Sequence, residues 1–331
     1  MTIQLNLWIL GETLPKVIAF SFKLFEHKKF AEGYARFNAL KNTNPKLKTQ
    51  LAIGGWNEGS KRFSNMVLTK TSRKIFIESA LKYLKTYGFD GIDLDWEYPT
   101  RREGRPEDKN NVSLLLKEMR EEFDKHGYIL TMAVVSGVFN VESMYEVSSL
   151  SRYLDYILVM AYDMHSSTDN RTGENSPLRS NDTVNVEYGV KSWISKGAKP
   201  SKIVLGIGAY GKSFTLADRN DHGIGAASIG PGQPGPYSKA KGTLYHYEVL
   251  ELIRRSGWTR EWSNEQVVPF AYDNDQWVGY DDVESVATKV DFAKNQGLGG
   301  LMLWSVDMDD PRGIAGEKFP LTRAIISQLE P

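Results

Sequence analysis

The chain has 331 residues, which is long enough for one large α/β domain or for two domains of ordinary size. Its 41 basic and 41 acidic residues give a formal net charge of zero, so it lacks the basic surplus on which binding to nucleic acid or to an anionic membrane usually depends. There is no cysteine, which excludes disulfides, thiolate metal sites and a cysteine nucleophile.

The amino-terminal residues give no sign of a targeting segment. Residues 1–10 are partly apolar, but they lack a basic start and a small-residue cleavage site. No apolar run approaches the ~18 residues that a membrane span requires. We therefore expect a soluble chain with neither nucleic acid nor a membrane as its partner.

Short apolar or β-branched runs alternate with stretches of helical spacing along most of the chain. Between residues 71 and 87, for example, Ile77, Ala80, Leu81 and Leu84 share one helix face. The predicted strands are 3–8, 17–22, 49–54, 91–96, 130–135, 156–161, 203–209 and 300–305. The predicted helices are 71–87, 108–126, 185–196, 281–296 and 321–329. Strands that alternate with helices pair in parallel, and eight of them favour a closed (β/α)8 TIM barrel over an open doubly wound sheet.

One long segment interrupts this alternation. Residues 212–278 are rich in glycine, proline and aromatic residues, with a Gly-Pro-Gly-Gln-Pro-Gly-Pro run at 230–236. A connection of this length is too long to be a loop inside a compact domain. We therefore predict a barrel made of residues 1–211 and 279–331, with a small α+β insertion domain of residues 212–278 between the seventh strand and its helix.

The candidate catalytic residues lie on the predicted strand 91–96 and just beyond it. Side chains alternate along a strand, so Asp93, Asp95 and Glu97 share one face, with neighbouring carboxylates ~6.6 Å apart. The residues between them are apolar and suit a surface that barrel helices cover. Like charges raise each other's pKa, so a row of inward carboxylates without a nearby cation indicates a functional site.

Three interpretations of this acidic row are open. The row could be a solvated strand face, although both faces of a parallel barrel strand are usually buried. It could bind Mg²⁺ or Ca²⁺, but no second acidic ligand set is obvious, and we expect Asp307, Asp309 and Asp310 to cap a loop. Acid–base catalysis is the favoured interpretation, because Glu97 lies nearest the strand end at which barrel enzymes carry their chemistry.

The same residues carry a resemblance to a known family. Asp90, Asp93, Asp95 and Glu97, followed by a Tyr-Pro pair that begins with Tyr98, resemble the DxxDxDxE signature of glycoside hydrolase family 18 chitinases. The resemblance runs from about residue 17 to residue 329, and its supporting stretches occur in the family's order at 53–57, 160–163, 210–214, 276–282 and 303–307. It implies a (β/α)8 barrel with the α+β insertion of the animal-type members.

The resemblance also implies a mechanism. This family is a substrate-assisted exception among glycosidases, in which the acetamido oxygen of the sugar attacks its own anomeric carbon and configuration is retained. Glu97 would protonate the leaving oxygen and later deprotonate water, while Asp95 would hold the acetamido N–H and Asp93 would share a proton with Asp95. Tyr162 would hydrogen-bond the acetamido carbonyl. The substrate would be β-1,4-linked N-acetylglucosamine polymer, with no cofactor and no metal.

Further residues are implied as substrate contacts. Aromatic rings stack on the apolar faces of sugars, so Trp304, at the end of the eighth strand, would form the floor of the acetamido subsite. Trp56, after the third strand, would stack on a sugar beyond the cleaved bond. A lone tryptophan is more often a core residue, but the position of these two at strand ends favours binding. The remaining implied contacts are Tyr98, Met160, Asp163, Tyr210 and Glu248.

Three departures from the family pattern stand out. Residues 166–168 are Ser-Ser-Thr where a stacking tryptophan is frequent, and Lys212 replaces the usual arginine, which keeps the charge but loses the planar fork. Trp8 lies too close to the following Leu14-Pro15 for a full first strand and helix. We therefore expect a truncated first βα unit and one missing outer platform.

The main alternative is a chitin-binding lectin on the same barrel. Such proteins typically replace the acid, whereas Glu97 is present. A family enzyme that acts on the chitobiose core of N-glycans would share the carboxylate strand, but the long insertion favours a linear polymer. We therefore expect a monomeric, extracellular chitinase whose partner is chitin or chitooligosaccharides.

Overall fold

The structure is a computed structural model that describes residues 6–10, 20–21 and 27–329. The chain forms two compact units. The first comprises Met1–Val159, Lys191–Leu205 and Gly297–Met302. The second comprises Met160–Val190, Gly206–Gln296 and Leu303–Pro331.

The elements of secondary structure follow the alternation expected from the sequence. The strands of the described residues are β1 (Asn6–Leu10), β2 (Phe20–Ser21), β3 (Gln50–Gly54), β4 (Gly91–Asp95), β5 (Ile129–Val135), β6 (Tyr156–Met160), β7 (Ile203–Gly208), β8 (Tyr210–Leu216), β9 (Ser228–Pro231), β10 (Thr243–Tyr245), β11 (Thr259–Ser263), β12 (Val268–Asp273), β13 (Gln276–Gly279) and β14 (Gly300–Trp304). The helices are α1 (His27–Asn38), α2 (Leu40–Thr43), α3 (Lys61–Val67), α4 (Lys70–Tyr87), α5 (Asp108–Phe123), α6 (Val147–Tyr153), α7 (Val186–Ser195), α8 (His246–Ser256), α9 (Val283–Asn295) and α10 (Pro320–Leu329).

Eight strands form one sheet in the order β1-β14-β7-β6-β5-β4-β3-β2. The pairs β2–β3, β3–β4, β4–β5 and β6–β7 are parallel. Neighbours in the sheet are thus neighbours in the strand series, and the last strand of the series lies beside the first, which is the order of a (β/α)8 barrel. Part of the second predicted strand (17–22) and the connection after β1 lie outside the described residues.

Helix α4 shows how local sequence sets the boundaries that the spacing predicted. Thr69 caps its first turn by accepting a hydrogen bond from the Ser72 backbone N–H at 3.1 Å. Gly88 ends the helix in the left-handed conformation, which glycine adopts without a side-chain clash. Ile77 and Leu84, on the predicted apolar face, are buried. In the described part of the chain, each helix is too short or too polar to cross a membrane.

A second, antiparallel sheet lies between β7 and α9 in the sequence. Its strands run in the order β10-β8-β13-β12-β11, with β9 paired to β8. One apolar cluster of this sheet is centred on Phe214, Phe270 and Trp277, and another on Val249 and Val278. The antiparallel sheet and helix α8 confirm the expected α+β insertion, whereas the domain boundaries at residues 212 and 278 stay a prediction.

Candidate active site

Strand β4 places the two central aspartates. Asp93 and Asp95 lie in β4, with only 1% and 5% of their surfaces exposed, and the half-buried Glu97 follows two residues after the strand ends. The intervening Leu94 and Trp96 are buried as well. Burial on both faces contradicts the interpretation of a solvated acidic strand face.

A residue of the neighbouring strand β5 holds the Asp93 carboxyl group. The Thr131 hydroxyl of β5 donates a hydrogen bond of 2.8 Å to Asp93 Oδ1. Burial raises the pKa of Asp93 to about 7, although the Thr131 hydrogen bond opposes this shift. Asp93, on the same face of the strand as Asp95, therefore carries a proton over part of the neutral range.

Two glycines bring the end of β3 close to Asp95. The Gly55 N–H donates to the Asp95 carbonyl at 2.7 Å. A Cβ atom on Gly54, whose φ is +119°, would lie 2.1 Å from that carbonyl oxygen. A Cβ atom on Gly55 would lie 3.4 Å from Asp95 Oδ2. The close approach of the two strand ends therefore requires glycine at position 54.

The first aspartate of the signature has a different place. Asp90 precedes β4 at the opposite end of the strand from Glu97. Its carboxylate pairs with Lys41 at 3.0 Å and accepts a hydrogen bond from the Thr49 N–H at 2.8 Å. Asp90 therefore fastens the start of β4 to the start of β3 and belongs to the scaffold.

The segment after Glu97 has unusual backbone geometry. The Glu97–Tyr98 peptide bond is cis, and Arg102 has a left-handed backbone with a φ of +51°. The Arg102 guanidinium lies 3.7 Å from the ring centre of Trp56 and donates to the carbonyls of Trp56 and Glu97 at 2.6 and 3.1 Å. Trp56 is 58% exposed, so its indole ring is available to a ligand while Arg102 restricts its motion.

In the second unit, Asp163 is the centre of a polar network. It has a left-handed backbone, with a φ of +57°. Its Oδ1 accepts a hydrogen bond from the Tyr210 hydroxyl at 2.7 Å and pairs with Lys212 at 2.7 Å. Asn175 accepts from the Asp163 N–H at 3.0 Å and donates to the Tyr210 carbonyl at 2.9 Å. Tyr162 is largely buried, with its ring edge-on to that of Tyr210.

Two further predicted contact residues end strands. Met160 is the last residue of β6 and Trp304 the last residue of β14, and both are half-buried. The Trp304 carbonyl accepts a hydrogen bond from the Ala209 N–H at 2.7 Å, and the Trp304–Ser305 peptide bond is cis. The predicted position of Trp304 at the end of the eighth strand of the barrel is confirmed.

Glu248 has contacts of another kind. It is buried at the start of α8, and its carboxylate accepts hydrogen bonds from the backbone N–H groups of Tyr237, Ser238 and Tyr245 at 2.6, 2.9 and 2.7 Å. These contacts all hold the insertion's own backbone. A contact between Glu248 and a sugar stays a prediction.

Residues 12–309 match the family model of Glycosyl hydrolases family 18. The chain belongs to this family. It is 43% identical to mouse chitotriosidase-1 over 312 residues, which are 89% of this chain and 66% of that protein. It spans 45% to 66% of the length of the curated relatives it matches, which also include an oviduct-specific glycoprotein of Mesocricetus auratus.

Solved structures of family 18 proteins share the fold. The Group IV chitinase of Ostrinia furnacalis in complex with allosamidin superposes with a TM-score of 0.88 at 40% identity, over 90% of this chain and 83% of that one. The human pseudo-chitinase YKL-39, which retains chitooligosaccharide binding, superposes with a TM-score of 0.87 at 37% identity, over 97% of this chain and 89% of that one. These likenesses confirm the (β/α)8 barrel.

Several residues that contact the predicted site residues could not be found from the sequence. Thr131, Asn175 and Arg102 contact site residues that lie 38, 12 and 5 positions away in the chain. Their residue types are common on any surface, and no local pattern distinguishes them.

Among the described residues, no group of three histidine, aspartate or glutamate side chains has the arrangement to hold a metal ion.

Proposed function

We propose that the chain is a chitinase that hydrolyses β-1,4-linked N-acetylglucosamine polymers with retention of configuration. The observation that carries the proposal is the complete row of Asp93, Asp95 and Glu97 at the end of β4, with the first two buried. Carboxylates grouped at the end of a barrel strand, where burial raises the pKa of Asp93, support acid–base chemistry rather than a structural role.

In the proposed reaction, the acetamido oxygen attacks the anomeric carbon of its own sugar as the bond to the leaving oxygen breaks. Glu97 gives its proton to the leaving oxygen, and the sugar becomes an oxazolinium ion. Water then attacks the anomeric carbon and gives a proton to Glu97. This attack opens the oxazolinium ring, and the proton returns Glu97 to its acid form. Two displacements at one carbon retain its configuration, as substrate-assisted glycosidases do.

Asp93 and Asp95 have complementary roles in this proposal. The acetamido N–H becomes more acidic as the oxygen attacks, so an adjacent carboxylate stabilises the positive charge that develops. Asp95 supplies that carboxylate. Asp93, whose pKa burial raises to about 7, keeps a proton that it shares with Asp95. One negative charge between the two is less costly than two.

Substrate binding is proposed for the residues that the resemblance implies. Tyr162 would donate to the acetamido carbonyl, and Asp163, oriented by Tyr210 and Lys212, would accept from sugar hydroxyls. Trp56 and Trp304 would stack on sugar faces. Complexes of family neighbours with allosamidin and with chitooligosaccharides support the same ligand class for this chain. A monomeric state and an extracellular location are proposed with them.

A second candidate function is oligosaccharide binding without hydrolysis. It is favoured by one observation: YKL-39, a pseudo-chitinase, is 37% identical over nearly the whole chain. The presence of Glu97 favours the enzyme, because the lectin interpretation requires no general acid.

One experiment distinguishes hydrolysis from binding without hydrolysis. The parent and a Glu97→Gln variant are incubated with chitin oligosaccharides, and the products are separated by chromatography. We expect cleavage by the parent alone and binding by both. Glu103→Gln is the matched control, because Glu103 is an exposed carboxylate six residues along the chain. Binding without cleavage by the parent would favour the lectin, and cleavage by Glu97→Gln at the parent's rate would exclude Glu97 as the acid.

A further inference from the structure

Ser60 lies directly before helix α3 and is completely buried. Serine at this position usually accepts a hydrogen bond from a backbone N–H in the first helical turn, which stabilises the helix. Ser60 makes no such bond with its side chain. Its hydroxyl is directed elsewhere.

The Ser60 hydroxyl bonds to both residues that flank Glu97. It accepts a hydrogen bond of 2.9 Å from the Trp96 indole N–H, and it donates one of 2.9 Å to the Tyr98 carbonyl. Trp96 is itself buried and stacks on Phe63 of α3, with ring centres 5.2 Å apart and planes 9° apart. The indole and the carbonyl are thus both bonded to one hydroxyl at the start of helix α3.

The sheet does not extend to this segment. The paired register of β3 and β4 ends at Gly54 opposite Asp95, and the Gly55 N–H then donates to the Asp95 carbonyl. Glu97 lies two residues farther along the chain. Beyond the last ladder bond, the orientation of a backbone segment depends on side-chain hydrogen bonds and packing.

We propose that Ser60 is a positioning residue for Glu97. By holding the Trp96 indole and the Tyr98 carbonyl, it fixes the residues on both sides of the acid and so the direction of the Glu97 carboxyl group. The inference rests on the proposed function of Glu97 as general acid. Ser60 itself makes no contact with substrate in this proposal.

A positioning role leads to a specific kinetic result. In Ser60→Ala, we expect kcat to fall about 10–100-fold, because a general acid displaced by about 1 Å loses much of its effect. KM should change by less than about twofold, because ground-state binding does not involve Ser60. The pH dependence of kcat should shift, since Glu97 occupies a new position relative to Asp93 and Asp95.

Two other variants separate positioning from loss of stability. Ser64→Ala removes another buried hydroxyl, from helix α3 itself, which bonds to Asp108 and Arg105 at 3.0 and 2.6 Å and not to the Glu97 segment. We expect its kcat and pH profile to equal those of the parent, even where its melting temperature falls. Ser60→Thr keeps a hydroxyl in place and should restore kcat to within about threefold of the parent.

Equal kcat and pH profiles for Ser60→Ala and Ser64→Ala would overturn the inference while the proposed function stands. An inactive parent would refute the proposed function instead. Crystal structures of the parent and Ser60→Ala then test the positioning role directly. We expect the Tyr98 carbonyl and the Glu97 carboxyl group to move by about 1 Å, and unchanged positions would overturn the inference whether or not the chain is active.

Discussion

The Thr131 hydroxyl on β5 donates a hydrogen bond of 2.8 Å to the Asp93 carboxyl group on β4. This bond lowers the pKa of Asp93 by less than burial raises it, so the pKa still rises from 3.8 to about 7. Between pH 4 and 7, the folded chain therefore keeps a proton on Asp93, whereas the unfolded chain has lost it. In this window, ionisation of Asp93 opposes folding.

The sign of this linkage gives a first testable prediction. Asp93 reduces the free energy of unfolding as pH rises from 4 to 7, by on the order of 4 kcal/mol in total. Asp93→Asn removes the ionisation and keeps an oxygen that accepts from Thr131. We expect the difference in unfolding free energy, variant minus parent, to rise with pH from 4 to 7 and to be constant above pH 8.

Urea unfolding at a series of pH values measures this difference directly. Comparison with the parent cancels the contributions of all other titrating groups. A difference that does not change between pH 4 and 8 would show that Asp93 titrates normally in the folded state.

A second prediction concerns the glycine beside Asp95. Gly54→Ala places a Cβ atom 2.1 Å from the Asp95 carbonyl oxygen, with a φ of +119° that alanine rarely adopts. We expect a loss of about 3 kcal/mol or more in unfolding free energy from strain and overpacking. Gly88→Ala is the control, because its backbone is left-handed, with a φ of +75°, and no atom lies within 4 Å of the added Cβ. It should cost only about 1–2 kcal/mol. Equal losses in the two variants would contradict the close approach of β3 and β4.

A third prediction concerns the Asp163 network. Tyr210→Phe removes the hydroxyl that donates to Asp163 at 2.7 Å and leaves Lys212 as the remaining partner. We expect the dissociation constant for a chitin oligosaccharide, measured by calorimetry in the Glu97→Gln background, to rise about 5–10-fold, since one hydrogen bond contributes about 1 kcal/mol.

Tyr272→Phe serves as the control for Tyr210→Phe. It removes a hydroxyl that donates to Glu261 on the insertion sheet, also at 2.7 Å. Its affinity should equal that of the background protein. An unchanged dissociation constant in Tyr210→Phe would show that the Asp163 network does not contribute to substrate binding.

A fourth prediction distinguishes a structural Glu248 from a substrate contact. Its carboxylate accepts from three backbone N–H groups, so Glu248→Ala leaves buried donors without partners. We expect thermal unfolding to show a loss of about 2–4 kcal/mol. Glu251→Ala, on the same helix, removes an i,i+4 pair with Arg255, whose side chain is 70% exposed, and should cost about 0.5 kcal/mol. A stable Glu248→Ala variant with weakened sugar affinity would reverse this assignment.

The barrel strands could be predicted because their signal is local. The acids of β4 alternate with Ile92, Leu94 and Trp96, and the structure buries all three of these. Helix α4 was equally predictable from its apolar spacing and from the glycine that ends it. Helix α3 was not predicted, since seven residues are too few to show a helical period.

The interactions that orient the site were beyond prediction from the sequence. Ser60 has the residue type and position of a helix cap, and only the structure shows that it bonds to Trp96 and Tyr98 instead. Glu248 is predicted to contact substrate because the family resemblance supplies roles, whereas its bonds to Tyr237 and Ser238 depend on how the insertion folds. Such long-range pairings are decided by tertiary packing, which a local pattern does not record.

The anomeric form of the first product tests the central claim most directly. The parent is mixed with a chitin oligosaccharide, and proton NMR spectra are recorded before the newly formed reducing ends equilibrate. A substrate-assisted reaction with Glu97 as the acid gives the β-anomer first, and Glu97→Gln gives no product on the same time scale. Initial formation of the α-anomer, or no cleavage by the parent, would contradict the account.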